Sequence, residues 1–119
     1  MTSTIKVAPH SIEAEISVLG SILLDKNAII EIAEILEPDH FYHDSHKKIF
    51  EAILTLYEAR DPIDAITLTE KLRTQKSLKQ IGGASYLAEL VNKVPTAAHV
   101  LHYAKIVKNL ATKRQLMSA

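Results

Sequence analysis

The stretch "DHFYHDSHKKIF", residues 39–50, sets His40, His43 and His46 three apart, with Asp39 and Asp44 among them. Imidazole and carboxylate are the ligands zinc takes in a tetrahedral site, and three His with a carboxylate or a water complete one. A metal-dependent hydrolase built on His40, His43 and His46 is therefore one reading of the chain. The spacing fits it less well than the residue types do. The established helical pair is His at i and i+4, as in H-E-x-x-H, and neither this segment nor His99 and His102 shows it. Pro38 and Asp44, a predicted cap, place His40 and His43 ahead of a helix and His46 in its first turn. Counting from His46, residues Phe50, Ile53, Leu54 and Tyr57 recur at i+4, i+7, i+8 and i+11, so His46 lies on the apolar stripe of its own helix. His46, Phe50 and Ile53 are expected in the core, and His40 and His43 in a loop or at the surface.

The elements that must position these residues come from a chain of 119 residues, 47% hydrophobic and 24% charged, which suits one soluble globular domain. The absence of cysteine excludes disulfide frameworks and thiolate metal sites and permits a reducing cytosol. No apolar run approaches the ~20 residues of a membrane span, and the first ten residues lack the apolar middle of a signal peptide. A cytoplasmic chain without a membrane partner is expected. The only Gly pair, Gly82 and Gly83, reads as a turn. No G-x-x-x-x-G-K-[ST] loop occurs, so nucleotide binding has no sequence support, and no cofactor, ATP and Mg2+ included, is expected in this chain.

The formal net charge is zero, but the signs are sorted. Residues 10–44 carry Glu13, Glu15, Asp25, Glu31, Glu34, Glu37, Asp39 and Asp44 against Lys26 alone, and after Glu89 only bases follow. Solvated helix faces explain such sorting. A helical DNA-binding regulator using the basic end is the rival, although no helix gathers the Arg, Asn and Gln that base readout requires.

Helical periodicity dominates. Ile12, Ile16, Leu19 and Leu23 predict a first helix over about 12–24, with Ser11 as its cap and Glu13 and Glu15 at its positive end. Ile29, Ile32 and Leu36 predict a second, ended by Pro38. A third starts with Asp44 as cap and stops at "RDPID"; Asp64 caps a fourth over about 65–75; a fifth follows the Gly pair to about Asn92. The last, from about 97 to 117, is the longest, roughly 30 Å at ~1.5 Å per residue. Its stripe of Val100, Ala104, Val107 and Ala111 is widened by Leu101, Tyr103, Ile106, Leu110 and Met117. A helix apolar over so much of its girth must be covered on more than one side. The cover is either the domain itself, or downstream sequence or a second copy.

Read together, "PHSIEAEISVLGSILLD", "DHFYHDSHKKIFEAI", "PIDAITLTEKL", "IGGASYLAEL" and "VPTAAHVLHYAKIV" resemble the N-terminal domain of the bacterial replicative DNA helicase, the DnaB family. The resemblance runs from about Pro9 to Leu116. It implies an all-α fold, a small helical bundle head followed by the start of a long helical hairpin: a flexible tail over 1–10, the head over 11–95 and the first arm over 96–119. It implies a non-catalytic domain that supports dimers and hexamers and receives the primase, DnaG. The dimer interface would use Val100, Leu101, Ala104, Val107, Leu110 and Ala111, and primase would touch Glu13 and Tyr86. ATP, Mg2+, single-stranded DNA and a helicase loader would be met only through the full-length protein, an ATP-dependent helicase, whose motor this chain lacks. In the family pattern His46 is the matching histidine and His40 and His43 are not.

Overall fold

A computed structural model describes residues 7–118; among them there are helices and no strands. The helices are α1 (Ile12–Leu24), α2 (Ala28–Ile32), a 3-10 turn (Pro38–His40), α3 (Asp44–Glu58), α4 (Ala65–Thr74), α5 (Gly83–Asn92) and α6 (Val100–Ser118). The expected tail lies outside the described residues for positions 1–6, whereas Pro9 and His10 are held against the head.

Two caps form as the side-chain chemistry requires. Ser11 accepts the Ala14 N–H at 3.1 Å and Asp64 the Thr67 N–H at 2.8 Å, each satisfying one of the orphan donors of a helix start. Three boundaries differ from the sequence reading, one of them the start of α6, which is Val100 and not residue 97. The second helix stops at Ile32, and the chain turns through Ile35 and Leu36, both of which still donate to the Ile32 carbonyl. Glu37 precedes Pro38 and is extended, as a residue before proline must be, so the helix unwinds early while Leu36 stays buried. Asp44 is the first residue of α3 rather than its cap; His43 occupies the cap position and makes no side-chain cap bond.

Helix α1 lies at the centre and touches α2, α3, α5 and α6. Its Val18, Leu19 and Ile22 are fully buried together with Ile29, Ile32, Phe41, Ile49, Phe50, Ile53, Leu68, Leu72, Leu87 and Leu90. The approach of α5 is set by Gly20, where a Cβ would fall 2.4 Å from both the Leu90 carbonyl oxygen and Val94 Cγ2. Only a residue without a side chain permits that contact.

Helix α6 turns four of the six expected interface residues into the head. Val100, Ala104, Val107 and Ala111 are buried within this chain, chiefly against α1, because that stripe is what closes the head. None of the four is free to meet a second copy. Leu101 and Leu110 remain half-exposed, and at 3.6 residues per turn they lie on opposite edges of the helix. The apolar line left beside the buried stripe is Tyr103, Ile106, Leu110 and Met117, at i, i+3, i+7 and i+14, with Met117 exposed.

Candidate functional site

The histidines do not converge on an ion. They enter a cluster of rings and one buried acid that joins four parts of the fold. Glu15, on α1, is 2% exposed and accepts three hydrogen bonds: from the Tyr42 N–H at 2.7 Å, the His43 N–H at 3.4 Å and His46 Nδ1 at 2.7 Å. Burial alone would push its carboxyl up. The His46 bond, the Tyr42 N–H, the charge available on the His46 ring and the His43 N–H outweigh burial and hold it below the ordinary carboxylate range. The second His46 nitrogen, Nε2, lies 2.6 Å from the Tyr86 hydroxyl on α5. In the neutral ring that hydroxyl donates to Nε2, and in the imidazolium Nε2–H donates to the hydroxyl oxygen. The network therefore closes in both protonation states. Burial, with Glu89 and Glu15 nearby, pushes the Tyr86 phenol up, so the hydroxyl keeps its proton.

Around this core the rings stack. Tyr86 lies nearly parallel to His46, His43 meets His46 edge-on at 5.2 Å, and His10 stacks on Tyr42 at 3.9 Å. Arg114 of α6 closes the far side. Its guanidinium stands 5.4 Å over the Tyr42 ring and donates to the Pro9 and His40 carbonyls at 2.8 Å each. The turn 40–43 thus gives backbone N–H groups to Glu15 on one side and a carbonyl and a ring to Arg114 on the other.

His46 and His40 have roles apart from metal binding. His46 is 1% exposed, beside the fully buried Phe50 and Ile53 as expected, yet it is a polar junction and not merely part of an apolar stripe. His40 and His43 lie in the turn ahead of α3 and are half-buried. His40 Nδ1 accepts the Glu37 N–H at 2.9 Å and caps the 3-10 turn. The His43 Nε2 is shielded from solvent without a hydrogen-bond partner among the described residues. Desolvation pushes both rings down, toward the neutral form. Among the described residues no group of three or more His, Asp or Glu is arranged to hold a metal. Nor is any helix long and apolar enough to cross a membrane.

Of the two residues expected at a partner surface, Glu13 is exposed on α1 and Tyr86 is half-buried with its hydroxyl committed to His46. Sequence reasoning missed Glu15 as a buried acid and Arg114 as a clasp. A signal existed for Glu15: Val18, Leu19 and Ile22 follow at i+3, i+4 and i+7 and put position 15 on the buried face, where a carboxylate needs a partner.

The family profile described as "DnaB-like helicase N terminal domain" matches residues 7–109. Among curated relatives, the replicative DNA helicase DnaB of Geobacillus stearothermophilus is 45% identical over 94% of this chain, and the replicative DNA helicase DnaC of Bacillus subtilis (strain 168) is 43% identical over 94%. The chain spans 25% of the length of each. Among solved structures, the N-terminal domain of DnaB helicase from Mycobacterium tuberculosis superposes with a TM-score of 0.92 at 43% identity, covering 94% of this chain and 78% of that one. A DnaB-like replicative helicase described with its interactions with primase gives 0.81 at 30% identity, over 91% of this chain and 25% of that one. These findings lend no support to the hydrolase or regulator readings. The six helices, their order and the match over most of the chain carry one conclusion: this chain belongs to the family of DnaB-like helicase N-terminal domains.

Proposed function

We propose that this domain is the non-catalytic assembly and partner-docking part of a hexameric replicative DNA helicase, acting in the cytoplasm, and that primase, DnaG, is the partner it receives. The observation that carries the reading is the likeness over nearly the whole chain to a helicase described with its interactions with primase. ATP and Mg2+, single-stranded DNA and a helicase loader are assigned to the rest of the protein; no phosphate cradle is present in this sequence.

Primase would meet the α1–α5 side, where Glu13 is exposed and Tyr86 is half-buried. Self-pairing would use the line Tyr103, Ile106, Leu110 and Met117. Calorimetric titration of primase from the same source into the purified domain should give a saturable complex. Glu13→Lys should weaken it by about tenfold or more without changing the melting temperature. No heat and no co-sedimentation at hundreds of micromolar would overturn the primase assignment. Sedimentation equilibrium tests pairing separately: Leu110→Glu with Met117→Glu should dissociate any dimer while leaving helical content intact.

A further inference from the structure

Between α4 and α5 the surface carries a feature that the buried cluster does not use. From Lys71 to Ala88 the chain contains four cations, Lys71, Arg73, Lys76 and Lys79, and no acid. Arg73, Lys76, Leu78, Lys79 and Gly83 line an open groove of about 450 Å³. The three cations of this rim are exposed and Leu78 is half-buried beneath them. Arg73 pairs only with the exposed Glu70 of its own helix, and Lys76 and Lys79 have no ion-pair partner among the described residues.

The groove is a fixed shape. Ser77 and Leu78 both donate to the Leu72 carbonyl, at 2.9 and 3.2 Å, and Gly83 donates to Leu78 at 2.9 Å, so the turn is held by its own backbone. Lys76 and Gly83 take left-handed φ values of 60° and 77°. Gly83 has nothing within 4 Å of where a Cβ would stand, so the space above it is open to a ligand.

We propose that this groove docks an acidic, leucine-bearing segment of a partner protein. Carboxylates would meet Arg73, whose planar fork suits them, and the two free lysines, while an aliphatic side chain would seat on Leu78 beside Gly83. A nucleic-acid strand fits less well. Binding single strands relies on aromatic platforms for the bases, and no aromatic ring lines the groove. A phosphodiester backbone also offers nothing to an apolar floor.

The test uses the whole chain, 15N-labelled, titrated with a short synthetic peptide alternating Glu and Leu, and in parallel with its Gln-for-Glu counterpart and with oligothymidylate. The acidic peptide should shift amide signals of residues 73–83 at sub-millimolar concentration, and the Gln peptide should bind at least about tenfold more weakly. Lys76→Glu with Lys79→Glu should cost about tenfold or more, from two- to fivefold per exposed ion pair and added repulsion. Leu78→Ala should weaken binding with unchanged salt dependence, which separates the apolar contact from the charges. Four results overturn the proposal: no shift at millimolar peptide, shifts mapping elsewhere, oligothymidylate binding these residues more tightly than the peptide, or concentration-dependent shifts of the unliganded chain that the Lys-to-Glu variant abolishes. The last would make a second copy the occupant. Because no primase is present, failure here leaves the primase reading untouched, and the converse holds.

Discussion

Helix α1 is gripped from two sides by opposite means. Against α6 it meets small and branched aliphatics, Val100, Ala104, Val107 and Ala111, in a contact that is nondirectional and tolerates small shifts. Toward α3 and α5 it presents Glu15, whose carboxylate is fixed by two backbone N–H groups and His46, with Tyr86 closing the far end. The apolar side supplies burial energy, about 1.5–3 kcal/mol for each large side chain. The polar side gains little net energy, since desolvating an acid and an imidazole offsets most of their attraction. What it adds is register: only one placement of α3, α5 and the turn 40–43 lets Glu15, His46 and Tyr86 meet their partners together.

The largest effect should come from charging the apolar side. Val107 is 2% exposed, and Val107→Glu places a carboxylate in the apolar core. Its cost should be on the order of 4–5 kcal/mol or more, read as loss of cooperative thermal unfolding by circular dichroism. A mild loss would mean that α6 docks loosely and that its stripe can turn to another partner.

The polar side should break asymmetrically. Glu15→Ala strands the Tyr42 and His43 N–H groups and the His46 ring, and should cost roughly 3–5 kcal/mol in urea unfolding. Replacing the whole network with Glu15→Leu, His46→Leu and Tyr86→Phe together should recover most of that loss, because apolar groups of similar volume need no partners. The triple variant should melt well but show broadened amide signals for Tyr42 and His43, whose N–H groups still lack acceptors. Sharp, native-like signals there would show that register does not depend on the acid.

The contrast between the two sides also decides what could be read from the sequence. The helices were legible because apolar residues recur at helical spacing: the extent of α1, the end of α5 and the burial of His46, Phe50 and Ile53 follow from it, whereas Ile12, counted in the α1 stripe, is 43% exposed. Which of the two stripes on α6 faces inward was not legible, since Val100 and Leu101 are equally apolar and only the shape of α1 chooses between them. Nor was the polar site. Glu15, His46 and Tyr86 are 31 and 40 residues apart along the chain, and no local pattern links them. The Arg114 bonds to Pro9 and His40 span 105 and 74 residues, beyond the reach of any motif.

A smaller effect should sharpen the comparison at Gly20, where α1 comes close to the α5 backbone and to Val94. Gly20→Ala raises helix propensity by about 0.8–1.0 kcal/mol in isolation. In the fold its methyl would lie 2.4 Å from the Leu90 carbonyl oxygen, and α5 must move away. A net loss of about 1–3 kcal/mol is expected in chemical denaturation. Because α5 carries Tyr86, the shift should also lengthen the bond to His46, visible as faster exchange of the imidazole proton. Stabilisation by Gly20→Ala would show that α5 is free to adjust.

The smallest effect is on pH, and its sign follows from the two directions of shift. Desolvation pushes the His43 and His40 rings down, so the folded chain binds fewer protons than the unfolded one just below the free-histidine value of about 6.5. That part of the stability is complete above about pH 6.5 and is lost as pH falls through the lowered folded values. The Glu15 carboxyl is also held low, so its contribution is complete above about 4.3 and is lost as pH falls through its own depressed value. Both losses lie on the acid side, and the histidine loss begins at the higher pH. The urea midpoint should therefore start to fall below about pH 6.5 and fall further below about pH 4.3. His43→Gln leaves its backbone N–H on Glu15 and removes only the titrating ring, so it should flatten the first step and spare the second. A first step unchanged by His43→Gln would place the proton-sensitive group at His40 instead, and a midpoint independent of pH above 4 would show that neither ring is shielded enough to matter.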